Sequence, residues 1–200
     1  MRAAVLAGGT ASRYGGRPKG LERVGGERIL DRVTQALREA TGEVPLLIAN
    51  AAEAADWRSD LRVRPDAIPG CGSLGGIYTA VTAEEGPVLL VAWDMPFVSA
   101  ELLRALVEGW QGQDVFLPES PGPRGLEPLC GVYAPSSAEA IKERLDVEDY
   151  RAIGFHDGVS LGVLPAERVA GLGTPEMLFF NVNTEEDLAR AEELWRRDHA

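Results

Sequence analysis

Residues 87–97, PVLLVAWDMPF, constrain the fold more than any other stretch. The apolar run is continuous instead of alternating. A strand made from it must be covered on both faces, which is the signature of a parallel sheet flanked by helices. Strand character recurs along the chain, in AAVLA (3–7), VPLLIAN (44–50), LRVRP (61–65) and DVFLP (114–118), then in PLCGVYA (128–134), VSLGVLP (159–165) and EMLFFNVN (176–183). Helical patterns lie between. ILDRVTQALREA (29–40) repeats its apolar residues at helical spacing. GCGSLGG (70–76) opens a helix with Ile77, Ala80 and Val81 inward, and SAELLRALVEGW (99–110) has Ser99 as its N-cap. Ser136 with Glu139 predicts a capping box for a helix to about Leu145. TEEDLARAEELWRRD (184–198) closes the chain, acidic at its start and basic at Arg196 and Arg197, as the helix dipole favours. This alternation predicts an α/β fold: a three-layer α/β/α sandwich with a mostly parallel central sheet, in one domain spanning residues 1–200.

No segment approaches the roughly 20 apolar residues of a membrane span, and the N-terminal apolar run is too short for a secretory signal. A soluble, cytoplasmic chain with no membrane attachment is the expectation. Cys71 and Cys130 lack both a disulfide framework and metal-pair spacing, leaving one loop thiol and one small strand residue. The net charge of −11 argues against a nucleic-acid partner, whose phosphates it would repel. That charge is uneven. Residues 2–32 hold seven Arg or Lys against three acids, a surplus of four, so the remainder carries −15. A positive island of this kind suits a compact anion such as a polyphosphate.

In open α/β sheets ligands bind beyond the carboxyl ends of the strands. Three unusual stretches fall there: LAGGTASRYGGRPK (6–19), GCGSLGG (70–76) and WDMP (93–96). The first matches neither the P-loop, since Lys19 precedes Gly20 and Leu21, nor the dinucleotide-binding glycine pattern. Gly8, Gly9, Gly15 and Gly16 would still let backbone N–H groups cup phosphate oxygens, with Arg13 and Lys19 adding charge. The alternative is an idle surface loop, but seven glycines between positions 8 and 26 make that costly in conformational entropy. The chain has 18 Arg and 2 Lys and places one lysine here. A compact ammonium on a flexible stem can follow phosphate oxygens as bonding changes.

Asp94 ends the most apolar strand, where an uncompensated carboxylate is expensive. It is either a turn residue before Met95-Pro96 or a Mg²⁺ ligand, because Mg²⁺ takes one or two carboxylates plus substrate phosphates. Beside an anion loop the metal reading is the stronger. Asn181 and Asn183 occupy alternate positions on one face of an expected strand end. Capping of the last helix by Asn183 or Thr184 explains one amide and leaves Asn181 free. Neither His156, beside Asp157 in a turn, nor His199, near the last residue, offers a convincing base.

With these residues in view, the chain resembles the molybdenum cofactor guanylyltransferases. LAGG…SR.GG..KGL (6–21), Asp66…GSLGG, WDMP (93–96) and NVNT (181–184) occur in that family's order and span nearly the whole sequence. The resemblance implies a nucleotide-diphospho-sugar transferase-like fold and transfer of GMP from GTP to the terminal phosphate of molybdopterin, with Mg²⁺ and release of pyrophosphate. It implies that Leu6, Ala7, Gly8 and Gly9 line the nucleotide site, that Lys19 contacts phosphates and that Asn50 and Asp66 hold the guanine nucleoside. Asp94 matches the Mg²⁺ ligand. Gly72, Gly76, Arg151, Asn181 and Asn183 match positions on the pterin side. Transient meetings with molybdenum cofactor donor proteins and with molybdoenzymes are implied by the same likeness. Tyr14, Pro18 and Glu127-Pro128 depart from the common pattern, which often has Met, Asp and His-Pro there. Gly9 favours guanine, since relatives that use CTP tend to have LAAG.

The chemistry agrees with the residues. A phosphate nucleophile is already anionic and needs no Ser, Cys or His base, only positioning and charge neutralisation at the α-phosphorus. Three rivals stand: a related nucleotidyltransferase using CTP on a pterin or a nucleoside triphosphate on a sugar phosphate, a catalytically silent nucleotide-binding protein, and a dinucleotide-dependent oxidoreductase. Asp94 weighs against the second, and the glycine spacing against the third.

Overall fold

The structure, a computed structural model, describes residues 1–8, 18–121 and 125–199. Gly9 and Arg13 lie outside the described residues, as do Gly15 and Gly16.

Strand β1 (Arg2–Ala7) sits inside the sheet because its residues beyond Arg2 are all apolar. Side chains alternate across a strand, so Ala3, Val5 and Ala7 enter one core while Ala4 and Leu6 enter the other. A two-residue hairpin pair, β2 (Arg23–Val24) and β3 (Glu27–Arg28), leads into helix α1 (Ile29–Thr41). Strands β4 (Leu46–Ala49) and β6 (Val88–Ala92) flank β1 in parallel, with Ala4 opposite Leu46 on one side and Leu90 on the other. β5 (Val63–Arg64) extends the sheet beyond β4. On the far side come β8 (Cys130–Tyr133), β7 (Val115–Pro118) and β9 (Leu161–Leu164), giving the order β5-β4-β1-β6-β8-β7-β9. Only β8 runs against the rest of this sheet.

Helices α1 and α4 (Ala100–Gly109) cover the face of Val5, Leu89 and Val91. Helices α3 (Gly72–Thr82) and α5 (Ala138–Asp146) cover the face of Leu6, Leu90 and Tyr133. The continuous run of β6 is fully buried on both sides, as the three-layer α/β expectation required. Short helices α2 (Ala54–Trp57), α6 (Ala166–Ala170) and α7 (Pro175–Leu178) precede the closing helix α8 (Glu185–Asp198). Cys130 lies in β8 and Cys71 directly before α3; both are buried free thiols.

Two local expectations hold and two fail. Ser99 Oγ accepts from the Leu102 N–H, and Thr184 with Asp187 forms a capping box at α8. The Ser136–Glu139 box does not form. Ser136 donates instead to Asp114, which also accepts from Ser160, and these bonds hold the Asp114 carboxyl below its usual range. Ser137 takes the position before α5 and donates to the Ala134 carbonyl at 2.7 Å. The strand expected over 176–183 is absent as well. Pro175 is pre-organised for a first helical turn, and α7 forms there, with the Leu178 N–H on the Thr174 carbonyl at 2.9 Å. Past α7 the chain joins no sheet, and the Val182 N–H donates to the Asp94 carbonyl at 2.9 Å. That single bond ties the NVNT stretch to the end of β6.

Candidate active site

The carboxyl ends of β1, β4 and β6 open toward one rim, where the described parts of the three stretches singled out above (6–8 with 18–19, 70–76 and 93–96) meet. Beyond β1, Gly8 is exposed with open space around its Cα. Leu6 and Ala7 are buried in the strand itself, and the Leu6 carbonyl accepts from the Trp93 N–H at 3.2 Å, holding the β1 and β6 exits together.

Lys19 opens a single 3-10 turn, Lys19–Leu21, and points into the rim. Its Nζ donates to Asp94 Oδ2 at 3.0 Å and to Asn183 Oδ1 at 2.8 Å. The lysine and aspartate side chains are each only 12% exposed. An ammonium has three donors, of which described residues engage two. Asp94 Oδ1 is buried without a hydrogen-bond partner among the described residues. A carboxylate oxygen left over beside an amide and an ammonium is the donor type a hard divalent cation takes. Among the described residues no three His, Cys, Asp or Glu side chains converge, so a cation here would complete its shell from substrate and water.

Beyond β4, Asn50 Nδ2 donates to Asp66 Oδ2 at 2.7 Å, and the Asp66 N–H donates to Asn50 Oδ1 at 2.8 Å. The reciprocal pair leaves one carboxylate oxygen of Asp66 at an exposed edge, suited to N–H or hydroxyl donors. At the start of α3, Gly72 is exposed with φ 58°, a left-handed backbone that glycine adopts without strain. Arg151 is largely exposed and forks onto Asp149 at 2.7 and 2.6 Å, holding that carboxyl at about 2. Gly76 differs from the others. It is buried in α3 against Leu6, where a Cβ would meet Leu6 Cδ1 at 2.1 Å, so packing alone accounts for a glycine there. Asn181 donates to the Phe179 carbonyl at 2.9 Å and does not join the lysine cluster.

Two features of this rim escape a reading by motif. Trp93 stacks on Trp57 with centroids 5.0 Å apart, and Gly20 lies against its ring: a Cβ at Gly20 would sit 2.3 Å from Trp93 Cε3. Glycine here lets the turn carrying Lys19 lie flat on the residue next to Asp94. Gly20→Ala should therefore lower stability by about 1–3 kcal/mol, the usual range for overpacking, and weaken nucleotide binding. Thermal melting and nucleotide titration check this; an unchanged melt and affinity would contradict it. The second feature is Glu127, whose carboxyl is pushed up by burial, pulled back in part by the Leu129 N–H it accepts at 3.0 Å, and raised further by the charge of Asp94.

A sequence model of the MobA-like NTP transferase domain matches residues 3–159. The chain belongs to this family. Members close in sequence include the probable molybdenum cofactor guanylyltransferase of Pelotomaculum thermopropionicum, 38% identical over 94% of this chain and 89% of that protein. The probable molybdenum cofactor guanylyltransferase of Carboxydothermus hydrogenoformans is 33% identical over 94% of this chain and 92% of its own. Among solved structures, molybdopterin-guanine dinucleotide biosynthesis protein A of Archaeoglobus fulgidus superposes with a TM-score of 0.82 at 27% identity, covering 98% of this chain and all of that one. As a MobA-like NTP transferase the chain is a nucleotidyltransferase, and the parallel sheet with its rim of loops is the fold of that family.

Proposed function

We propose that this MobA-like NTP transferase moves GMP from GTP to the terminal phosphate of molybdopterin, releasing pyrophosphate, with Mg²⁺ at Asp94. The observation that carries the reading is the placement of Lys19 Nζ between Asp94 and Asn183 at the exit of β6. A lysine so fixed, next to a buried carboxylate with one orphaned oxygen, is arranged to hold a cation and phosphates together. Names of relatives supply the donor and acceptor.

In this reading Leu6, Ala7, Gly8 and Gly9 form the floor under the nucleotide, and Asn50 with Asp66 holds the guanine nucleoside. The free edge of Asp66 accepts from the base or ribose. Lys19, with Arg13, neutralises charge on the α-phosphoryl and on the departing pyrophosphate. Gly72, Gly76, Arg151, Asn181 and Asn183 serve the pterin side, with Arg151 releasing Asp149 to meet an anion. A terminal phosphate oxygen of the pterin attacks the α-phosphorus in line; the new P–O bond forms as the bond to the β-phosphate oxygen breaks, and pyrophosphate departs with that electron pair. Both oxygens are anionic, so no proton need move. When bound, Mg²⁺ would supply charge compensation to the nucleotide phosphates; the positioning belongs to Lys19, Asn183 and the backbone. All of this is carried by residues 1–200 as one unit, a cytoplasmic enzyme meeting cofactor donor proteins and molybdoenzymes transiently.

Calorimetric titration with GTP and with CTP, each with Mg²⁺, tests the reading. GTP should bind at least tenfold more tightly. Tighter binding of CTP would keep the fold and chemistry and overturn the choice of base.

A further inference from the structure

The β6–β8 ladder carries information beyond its last assigned pair. Its register runs from Val88 opposite Tyr133 to Val91 opposite Cys130, and the Ala92 N–H donates to the Leu129 carbonyl at 2.8 Å, one step further on. Past this bond both chains turn, at Trp93-Asp94 and at Pro128-Leu129, and Glu127, whose Oε1 accepts from the same Leu129 that bonds Ala92, lies close enough to Asp94 for that carboxylate's charge to act on it. Because β8 runs against its neighbours, the chain entering β8 arrives at the same rim where β6 leaves it.

Glu127 is held firmly in this place. Its N–H donates to the Pro118 carbonyl at 3.1 Å, its carbonyl accepts from the Cys130 N–H at 3.3 Å, and its Oε1 accepts from the Leu129 N–H. Pro128 is fixed in turn by the Tyr133 hydroxyl on its carbonyl. Among the described residues no Lys or Arg pairs with Glu127, and the nearby lysine is engaged by Asp94 and Asn183. Two shielded carboxylates thus lie within electrostatic reach of each other, and only Asp94 has the ammonium as a partner among the described residues. Burying an unpaired charge is expensive, and Asp94 Oδ1 also has no partner among the described residues.

We infer that Glu127 is a second carboxylate of the cation site, holding the divalent ion opposite Asp94, directly or through one of its waters. The inference rests on the proposed metal role of Asp94. It adds a ligand from a different strand, so that the ion is clamped across the junction of β6 and β8 instead of hanging from one side chain. Glu127→Gln keeps the acceptor for the Leu129 N–H and the shape of the side chain while removing the charge.

The test is a titration of the protein with Mn²⁺, with free Mn²⁺ read by electron paramagnetic resonance, both without nucleotide and with a non-hydrolysable GTP analogue. Wild type, Glu127→Gln and Asp94→Asn are compared, their folding checked by circular dichroism. Glu127→Gln should weaken Mn²⁺ about tenfold or more, the range seen when groups around a metal are lost, and leave metal-free binding of the analogue within about twofold. Should Glu127→Asp, which retains charge on a shorter arm, regain part of the lost affinity, the ligand role is supported further. If Glu127→Gln binds Mn²⁺ like wild type while Asp94→Asn does not, Glu127 is not a ligand and the metal reading of Asp94 survives. If neither substitution weakens Mn²⁺, or wild type takes up none in either condition, the metal reading falls and this inference with it.

Discussion

Lys19→Ala should lower turnover by about 10³-fold or more, the scale on which cations positioned at a transferring phosphoryl act. In the proposed reaction Lys19 would meet the nucleotide phosphates, and among the described residues no other cation bonds Asp94. The substitution should also destabilise the fold. It strands a carboxylate that is nine-tenths buried just past the end of a strand. Breaking a buried pair costs about 3–5 kcal/mol when the surviving charge stays buried, and Asp94 is in that position. Activity is read by pyrophosphate release and stability by denaturant unfolding. A variant with full turnover would remove Lys19 from the chemistry. Lost turnover with an unchanged midpoint would mean that Asp94 finds another partner.

Asp94→Asn should be the mirror case: an equal or greater loss of turnover with little loss of stability. The amide keeps the volume of the acid and relieves the burial of a charge. Lys19, on a flexible four-carbon stem, can swing its ammonium toward solvent and still has Asn183 at 2.8 Å. What disappears is the anionic oxygen that would hold a cation. Turnover should fall by about 10³-fold or more, and the effect of Mg²⁺ on GTP affinity should vanish, so that titrations with Mg²⁺ and with EDTA coincide. A variant still responding to Mg²⁺ as wild type does would place the ion elsewhere. The pair of substitutions thus separates two roles that contact alone leaves merged: Lys19→Ala is costly to both fold and rate, Asp94→Asn to rate.

The layers were legible in the sequence because side-chain period and burial are local. Strand β6 announces itself by an unbroken apolar run, and β1 by five apolar residues that feed two cores at once. The rim was legible because strand ends in an open sheet converge, so Lys19 and Asp94, 75 residues apart, could be assigned to one place before any distance was known. Contacts made by competition were not legible. Ser136 had the spacing of a capping box, but its hydroxyl donates to Asp114 across the fold instead. The stretch 176–183 reads as a strand from its apolar run, yet Pro175 begins a helix and the Val182 N–H bonds the Asp94 carbonyl just past β6. The Asn50–Asp66 pair came from resemblance alone; composition gives no reason for two exposed polar residues on separate strand exits to meet. Glu127 was visible only as a departure from a familiar dipeptide. Its nearness to Asp94 depends on β8 running against β6, so that the chain enters β8 where β6 ends, and no spacing within one strand reveals that. Gly20 and Gly76 looked like members of a glycine-rich binding pattern. Their surroundings show glycines required by Trp93 and Leu6.

The most direct measurement is product formation: purified protein incubated with molybdopterin, Mg²⁺ and either GTP or CTP, the pterin analysed by mass after separation. GMP transfer predicts a guanine dinucleotide and one pyrophosphate per product with GTP, and little product with CTP. A cytidine product, or pyrophosphate released with the pterin unchanged, would contradict it.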